Sequence, residues 1–149
     1  MNAKLKGKKS TTEANYAVET QVGHLLRRAH QRHCAIFTDN IGEAITPVQF
    51  AALTMVGQQG EVSQNHLGRL IATDPATIQG VVGRLAERKL IKSKPDPDDR
   101  RRQLWYLTAK GKNLVALLLP NAQSISEQTL APLSEREKLS FMKLLAKIS

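Results

Sequence analysis

The chain has 149 residues, with 22 Lys and Arg against 13 Asp and Glu, a formal net charge of +9 and 41% hydrophobic residues. This length suits one domain with helical extensions and a sizeable core, and the charge favours a polyanionic partner. Aromatic residues at 4% argue against a protein that stacks single-stranded bases, the lone Cys34 excludes an internal disulfide and a cysteine zinc cluster, and no apolar run nears the ~20 residues of a membrane span.

Met1 to Thr12 is a polar, basic stretch with Lys4, Lys6, Lys8 and Lys9. It reads as a disordered tail or as an arm that touches phosphates. It has no apolar signal-peptide core, so the expected location is cytoplasmic.

Thr12 to Ile41 reads as one long helix with Val18, Val22, Leu25, Leu26, Ala29, Ile36, Phe37 and Ile41 on its apolar stripe. Arg27, Arg28, His30, Arg32 and His33 crowd into two turns of it. Such crowding is repulsive unless an anion lies nearby. A solvated face, DNA phosphate, an acidic partner surface and a bound ligand all stay open here. Cys34 reads as a small buried hydrophobe, with oxidant sensing as the sharper alternative.

Thr46-Pro47 opens a second helix through the pairing of a cap with an N1 proline, and Phe50, Leu53, Met55 and Val56 face its core side. Gly60 ends it. Ser63 caps a third helix whose buried side is Leu67, Leu70 and Ile71. Asp74-Pro75 opens a fourth helix after a tight connection. Ile78, Val81, Val82 and Leu85 recur there at helical spacing and form its buried stripe. The opposite face carries Ala76, Gly80 and Gly83, flanked by Thr73, Thr77, Gln79 and Arg84. Two helical glycines cost about 1 kcal/mol each relative to alanine. Two readings are open: tight helix packing, or close approach to a DNA major groove. Two short helices on a tight connection form a helix-turn-helix pattern.

Leu90 to Lys94 alternates like a strand, Pro95 to Arg102 is a projecting turn, and Leu104 to Leu107 returns as a second strand. Arg100, Arg101 and Arg102 at the hairpin tip suit a minor groove, whose negative potential attracts arginine; a solvated basic loop is the plainer reading. Asp99 is placed to orient Arg101 by a charge-assisted hydrogen bond. Thr108 caps the next helix, which Pro120 should kink or split. Ser134 with Glu137 forms a capping box for the last helix, to Ile148. That helix has a wide apolar face through Leu139, Phe141, Met142, Leu144, Leu145 and Ile148. Together with the first helix and Leu114 to Leu119 it needs a covering surface, and a homodimer built from both chain ends would supply it.

Asp99-Arg100-Arg101 followed by Leu104, Leu107-Thr108 and Gly111 resembles the wing signature of the MarR family of bacterial winged-helix regulators, and Arg84-Leu85 and Leu90-Ile91 resemble its recognition-helix end and first wing strand. The resemblance covers about Val18 to Ile148. It departs from the family at Lys89, where relatives usually carry glycine, and at Gly80 and Gly83, where many carry larger polar groups. It implies a mainly α fold with a small β-wing, a winged helix-turn-helix with N- and C-terminal dimerisation helices. The boundaries would be 1–12 tail, 13–45 dimerisation and ligand helix, 46–108 DNA-binding domain and 109–149 C-terminal dimerisation helices. The implied partner is a double-stranded, pseudo-palindromic operator. Ser63, Gln64 and Asn65 would hold phosphates. Thr73, Ala76, Thr77, Gln79, Gly80 and Arg84 would approach the major groove, with Gln79 reading adenine. Asp99, Arg100, Arg101 and Arg102 would form the minor-groove wing. The implied effector is a small aromatic compound. LLRRAHQRH is similar to a subgroup tied to aromatic-acid catabolism, in which some members respond to acyl-coenzyme A thioesters. Arg27, Arg28, His30, Arg32 and His33 would then pair with its phosphates, and Phe37 and Phe50 would line the apolar pocket.

No Ser/His/Asp arrangement, metal-ligand spacing or glycine-rich phosphate loop points to an enzyme, a metal or a cofactor. His30 and His33 alone make a weak i, i+3 metal signal. The alternative from another class is a nucleoid protein that binds DNA without sequence preference.

Overall fold

The computed structural model describes residues 16–149. The basic stretch from Met1 to Thr12 and the expected helix start at Thr12 lie outside them. The chain runs α1 (Val22–Ile41), α2 (Pro47–Gln59), β1 (Val62–Ser63), α3 (Gln64–Leu70), α4 (Pro75–Glu87), β2 (Ile91–Pro95), β3 (Gln103–Leu107), α5 (Ala109–Leu130) and α6 (Glu135–Ile148). The fold is mainly α with a small wing. No helix among the described residues is long and apolar enough to cross a membrane.

The first helix is shorter than its periodicity suggested. A 3-10 turn at Val18–Thr20 precedes α1, and Gln21 between them is extended. The side chains of Thr20 and Gln21 both donate to the Ala17 carbonyl, at 2.9 and 3.1 Å. Local side-chain bonds of this kind offer the backbone an alternative to the helix ladder.

The other helix starts follow the sequence. Thr46 and Gln49 form a reciprocal capping box ahead of α2, and Ser134 and Glu137 form one ahead of α6. Asp74 accepts the Thr77 amide at 2.9 Å and the Thr77 hydroxyl at 2.6 Å. α4 ends in a Schellman arrangement: the Lys89 amide donates to Ala86 O and the Leu90 amide to Leu85 O. Lys89 adopts φ 60° there. The left-handed conformation costs a side-chain-bearing residue about 1–2 kcal/mol, which explains why glycine suits this position.

Ile45, Leu53, Val56, Val62, Leu67, Ile78, Val81, Val82, Leu85, Leu90 and Ile91 form one buried cluster, with Leu114, Val115 and Leu118 of α5 packed on it. Leu70 is not part of it. It is 38% exposed, whereas Leu67 carries the buried side of α3.

The sheet has a strand that the sequence pattern did not suggest. Val62 and Ser63 pair antiparallel with Trp105 and Leu104, so the order is β1-β3-β2. β2 and β3 form the wing hairpin, from Ile91↔Leu107 to Pro95↔Gln103. Pro120 does not split α5, which is continuous from Ala109 to Leu130. Both halves are held in place: Leu114, Val115 and Leu118 pack on the core before the proline. After it, Asn121 donates to Asn40 O at 3.1 Å and Gln128 exchanges hydrogen bonds with the Asn40 amide at 3.0 and 3.1 Å. Packing of this extent offsets one missing backbone donor.

Candidate nucleic-acid interface

α4 turns Ile78, Val81, Val82 and Leu85 into the core and leaves Ala76, Gln79, Gly80, Gly83 and Arg84 on the outside. A Cβ added at Gly80 or Gly83 would meet nothing within 4 Å. Within the chain these glycines therefore do not serve tight helix packing, and the open-surface reading stands. The Gln79 and Arg84 side chains make no hydrogen bond to another described residue. The Thr77 hydroxyl donates to Asp74, whose carboxyl is held below its usual range by Thr77's two hydrogen bonds. Thr77 therefore has only its acceptor lone pairs to offer. Thr73 is half-buried, and its hydroxyl donates to Ile71 O at 3.3 Å.

At the wing, one expectation is corrected. The carboxylate of Asp99 accepts the Arg101 backbone amide at 3.1 Å, not its guanidinium. The charge-assisted pair is Asp96 with Arg102. Arg102 Nε donates to Asp96 Oδ2 at 2.6 Å, and its Nη2 forms an ion pair with the same oxygen. The Asp96 amide donates to Arg102 O at 2.8 Å, and Asp96 Oδ1 accepts the Asp98 amide at 2.9 Å. Asp96 is only 3% exposed. The Asp98 amide and then Arg102 hold its carboxyl below the ordinary value. Arg102 is thus the staple that closes the turn, and Arg100 and Arg101 are the arginines whose side chains make no hydrogen bond to another described residue. The tight turn positions that pair across six residues.

Arg102 also lines a polar cleft of about 450 Å³ with Ser63, Gln64, Asn65, Arg69, Gln103 and Trp105. The β1–β3 pairing brings the start of α3 to the wing base. The sequence pointed to Ser63, Gln64, Asn65 and Arg102, but not to Arg69, Gln103 or Trp105, because the joining strand is only two residues long.

The basic segment of α1 behaves differently from its sequence image. Arg32 Nη2 donates to the carbonyl of Gln128 at 2.9 Å and to that of Thr129 at 3.4 Å, near the end of α5. Cations are favoured at a helix C-terminus. His33 Nδ1 lies 2.9 Å from Thr129 Oγ1, and partial burial, then the nearby His30, lowers the His33 pKa. His30 Nε2 is 3.4 Å from Cys34 Sγ. Arg27 and Arg28 are exposed and make no hydrogen bond or ion pair with another described residue. Phe37 and Phe50 pack on each other with ring centroids 5.8 Å apart. They do not line the cavity beside the histidines. That cavity, about 340 Å³, is bounded by Leu26, Ala29, His30, His33, Thr129 and Phe141 among others.

The chain is similar to known regulators along most of its length. A model of the MarR family matches residues 45–102. The HTH-type transcriptional repressor NicR of Pseudomonas putida is 41% identical over 134 residues, 89% of this chain and 85% of that protein. A crystal structure of a probable transcriptional regulator from Pseudomonas aeruginosa superposes with TM-score 0.86 at 45% identity, covering 89% of this chain and all of that one. BpsR of Bordetella bronchiseptica, whose DNA binding is regulated by 6-hydroxynicotinic acid, superposes with TM-score 0.86 at 40% identity, covering 91% and 97%. With the wing, the helix-turn-helix and this extent of identity, the chain belongs to the MarR family of transcriptional regulators.

Proposed function

We propose that the chain is an operator-binding repressor, active as a cytoplasmic homodimer and released from DNA by a small aromatic carboxylate. The observation that carries the DNA-binding part is the outward face of α4. Ala76, Gly80 and Gly83 leave it bare, with Gln79 and Arg84 unengaged beside it, in a chain of net charge +9. A bare helix approaches a groove floor closely, and Gln79 is then the direct reader. Arg100 and Arg101 would enter the adjacent minor groove, while Ser63, Gln64, Asn65 and Arg102 hold the backbone. The dimer would cover α1 and α6, where Val22, Leu25, Leu139, Leu144 and Ile148 are each at least 50% exposed.

The effector reading is supported by the 40% identical Bordetella regulator and its 6-hydroxynicotinic acid. The 340 Å³ cavity beside His30 and His33 suits a single-ring acid. The basic side chains that bound it are His30 and His33, while Arg27 and Arg28 are their neighbours along α1 and do not line it. A second effector, an aromatic acyl-coenzyme A, draws on the same two arginines for its phosphates. Arg32 and His33, engaged on α5, are less available to it.

The test is fluorescence anisotropy on the promoter beside the gene and on scrambled DNA, with 6-hydroxynicotinate and with an aromatic acyl-coenzyme A. Preference for one site by about 10³-fold supports a repressor, and equal affinity returns the reading to a nucleoid protein. Tenfold weaker DNA binding requires ~1.4 kcal/mol of differential effector affinity. Release by the thioester alone would replace the free acid as the effector class.

A further inference from the structure

The DNA-binding lobe, α2 to β3, is joined to the helices α1, α5 and α6 by two covalent crossings, at Gly42–Thr46 and at Thr108. Both crossings are fastened to one place, the C-terminus of α4. Arg88 Nη1 donates to the carbonyl of Ala44 in the first crossing at 2.8 Å. Thr108 Oγ1, in the second, donates to Lys89 O at 2.7 Å, and its amide donates to Leu90 O at 3.1 Å. Lys110 Nζ, in the first turn of α5, donates to Arg88 O at 2.9 Å. Gly111 completes the corner: a Cβ there would lie 2.1 Å from Leu90 O, so only glycine permits this approach.

The remaining geometry makes this corner a mechanical junction. α1 and α5 are tied by Arg32 to Gln128, Asn40 to Gln128 and Asn121 to Asn40, and form one body. α4 is fixed within the lobe by Ile78, Val81, Val82 and Leu85. Leu114, Val115 and Leu118 on the lobe core and Phe37 on Phe50 supply apolar packing between the two units, and this corner adds the directional hydrogen bonds that set the orientation of α4 against the body. Its most labile bonds are the two made by long, charged side chains on the surface, from Arg88 and Lys110.

We infer that Arg88 and Lys110 are positioning residues that couple the α1–α5 body to the orientation of α4, so that effector occupancy changes operator affinity through them. Neither lines the cleft at the wing base or the cavity beside His30 and His33. This rests on the effector-released repressor reading. Each bond can break and re-form without unfolding either unit, as a two-state coupling element requires.

The experiment compares wild type, Arg88→Met, Lys110→Met and the conservative Lys110→Arg; methionine keeps the apolar stem and removes the donor. Operator affinity is measured with and without saturating 6-hydroxynicotinate, and effector affinity by calorimetry. The methionine variants should still bind both ligands, while the weakening of DNA binding by effector shrinks by about fivefold or more; Lys110→Arg should restore it. Lowered melting temperature with unchanged coupling would make the two residues simple staples and overturn the inference. A wild type that ignores 6-hydroxynicotinate would count against the effector reading, and a second measurement then decides the inference without any effector. Spin labels at Gly83→Cys and Gln31→Cys, in a Cys34→Ser background diluted with unlabelled protein, report the distance from α4 to α1 within one chain. The distribution should broaden in Arg88→Met and Lys110→Met. An unchanged distribution in both would overturn the inference.

Discussion

The winged lobe and the helical body follow opposite rules of burial. In the lobe, Ala52, Leu53, Val56, Leu67 and Leu85 are fully buried, and the most exposed large hydrophobics, Val48 and Leu70, reach only 38%. In the body, Phe37 and Ile125 are buried, while Leu139 is 76% exposed and Val22 66%. Contiguous exposed apolar surface marks an interaction site. One region covers its apolar residues within a single chain; the other leaves apolar surface that the proposed dimer would cover. Sequence periodicity looks alike in both, so the difference lies in what each apolar stripe finds to cover it.

The sharpest way to break this contrast is Leu144→Asp. In an isolated chain such an exposed change should alter stability by about 0.5 kcal/mol or less. In the proposed dimer it should produce monomers by analytical ultracentrifugation and bring operator binding towards the non-specific level, a loss of roughly 10³-fold. A stable dimer with full affinity would show that α6 does not build the interface. Leu53→Ala tests the lobe in the same terms. It should cost about 2–5 kcal/mol in denaturant unfolding, with dimerisation less affected than DNA binding.

The wing divides its arginines along similar lines. Arg101→Ala should weaken operator binding by about 1–3 kcal/mol with no change in melting temperature, and if it meets phosphate the salt slope should fall by ~1. Arg102→Ala removes the partner of a buried carboxylate. It should lower the stability of the hairpin, read from the Trp105 fluorescence.

The smallest expected effect is a pH dependence in the body. The His33 pKa is lowered by partial burial and by His30. Between the folded value and the ordinary value of 6.5, the unfolded chain binds more protons. The stabilising state, neutral His33, is fully present above pH 6.5 and is lost as pH falls through that window. Melting temperature should therefore drop on acidification from pH 7.5 to about pH 5.5, and His33→Gln should flatten the slope. An unaltered slope in that variant would assign the drop to another group.

What the sequence showed well was local. Thr46, Ser63, Asp74, Thr108 and Ser134 each cap the helix that follows, because an N-cap needs only a short oxygen-bearing side chain and the amides two or three residues on. The α4 stripe was legible for the same reason: periodicity fixes a face. What it hid depended on closure at a distance. Asp96 finds Arg102 only after the turn folds back. Arg32 and His33 find α5 partners about a hundred residues away and His30 meets Cys34, which turns an apparent anion-binding cluster of five into three engaged side chains and two open ones. β1 is too short to carry an alternating pattern, so its pairing with β3, and the cleft it creates, appear only in three dimensions. The glycines of α4 were ambiguous until the space around them was known.

The unbroken run of α5 through Pro120 has a consequence for reach. A helix of 22 residues is about 33 Å long at 1.5 Å per residue, so a tilt of about 5° at its first turn displaces its far end by ~3 Å. That is close to the ~3.4 Å rise of one base pair along a DNA strand. A rod of this length acts as a lever. Under the coupling inferred for Lys110, angular play of this size where α5 meets α4 would move a lobe by about one base step, and a helix broken at the proline would transmit less of it.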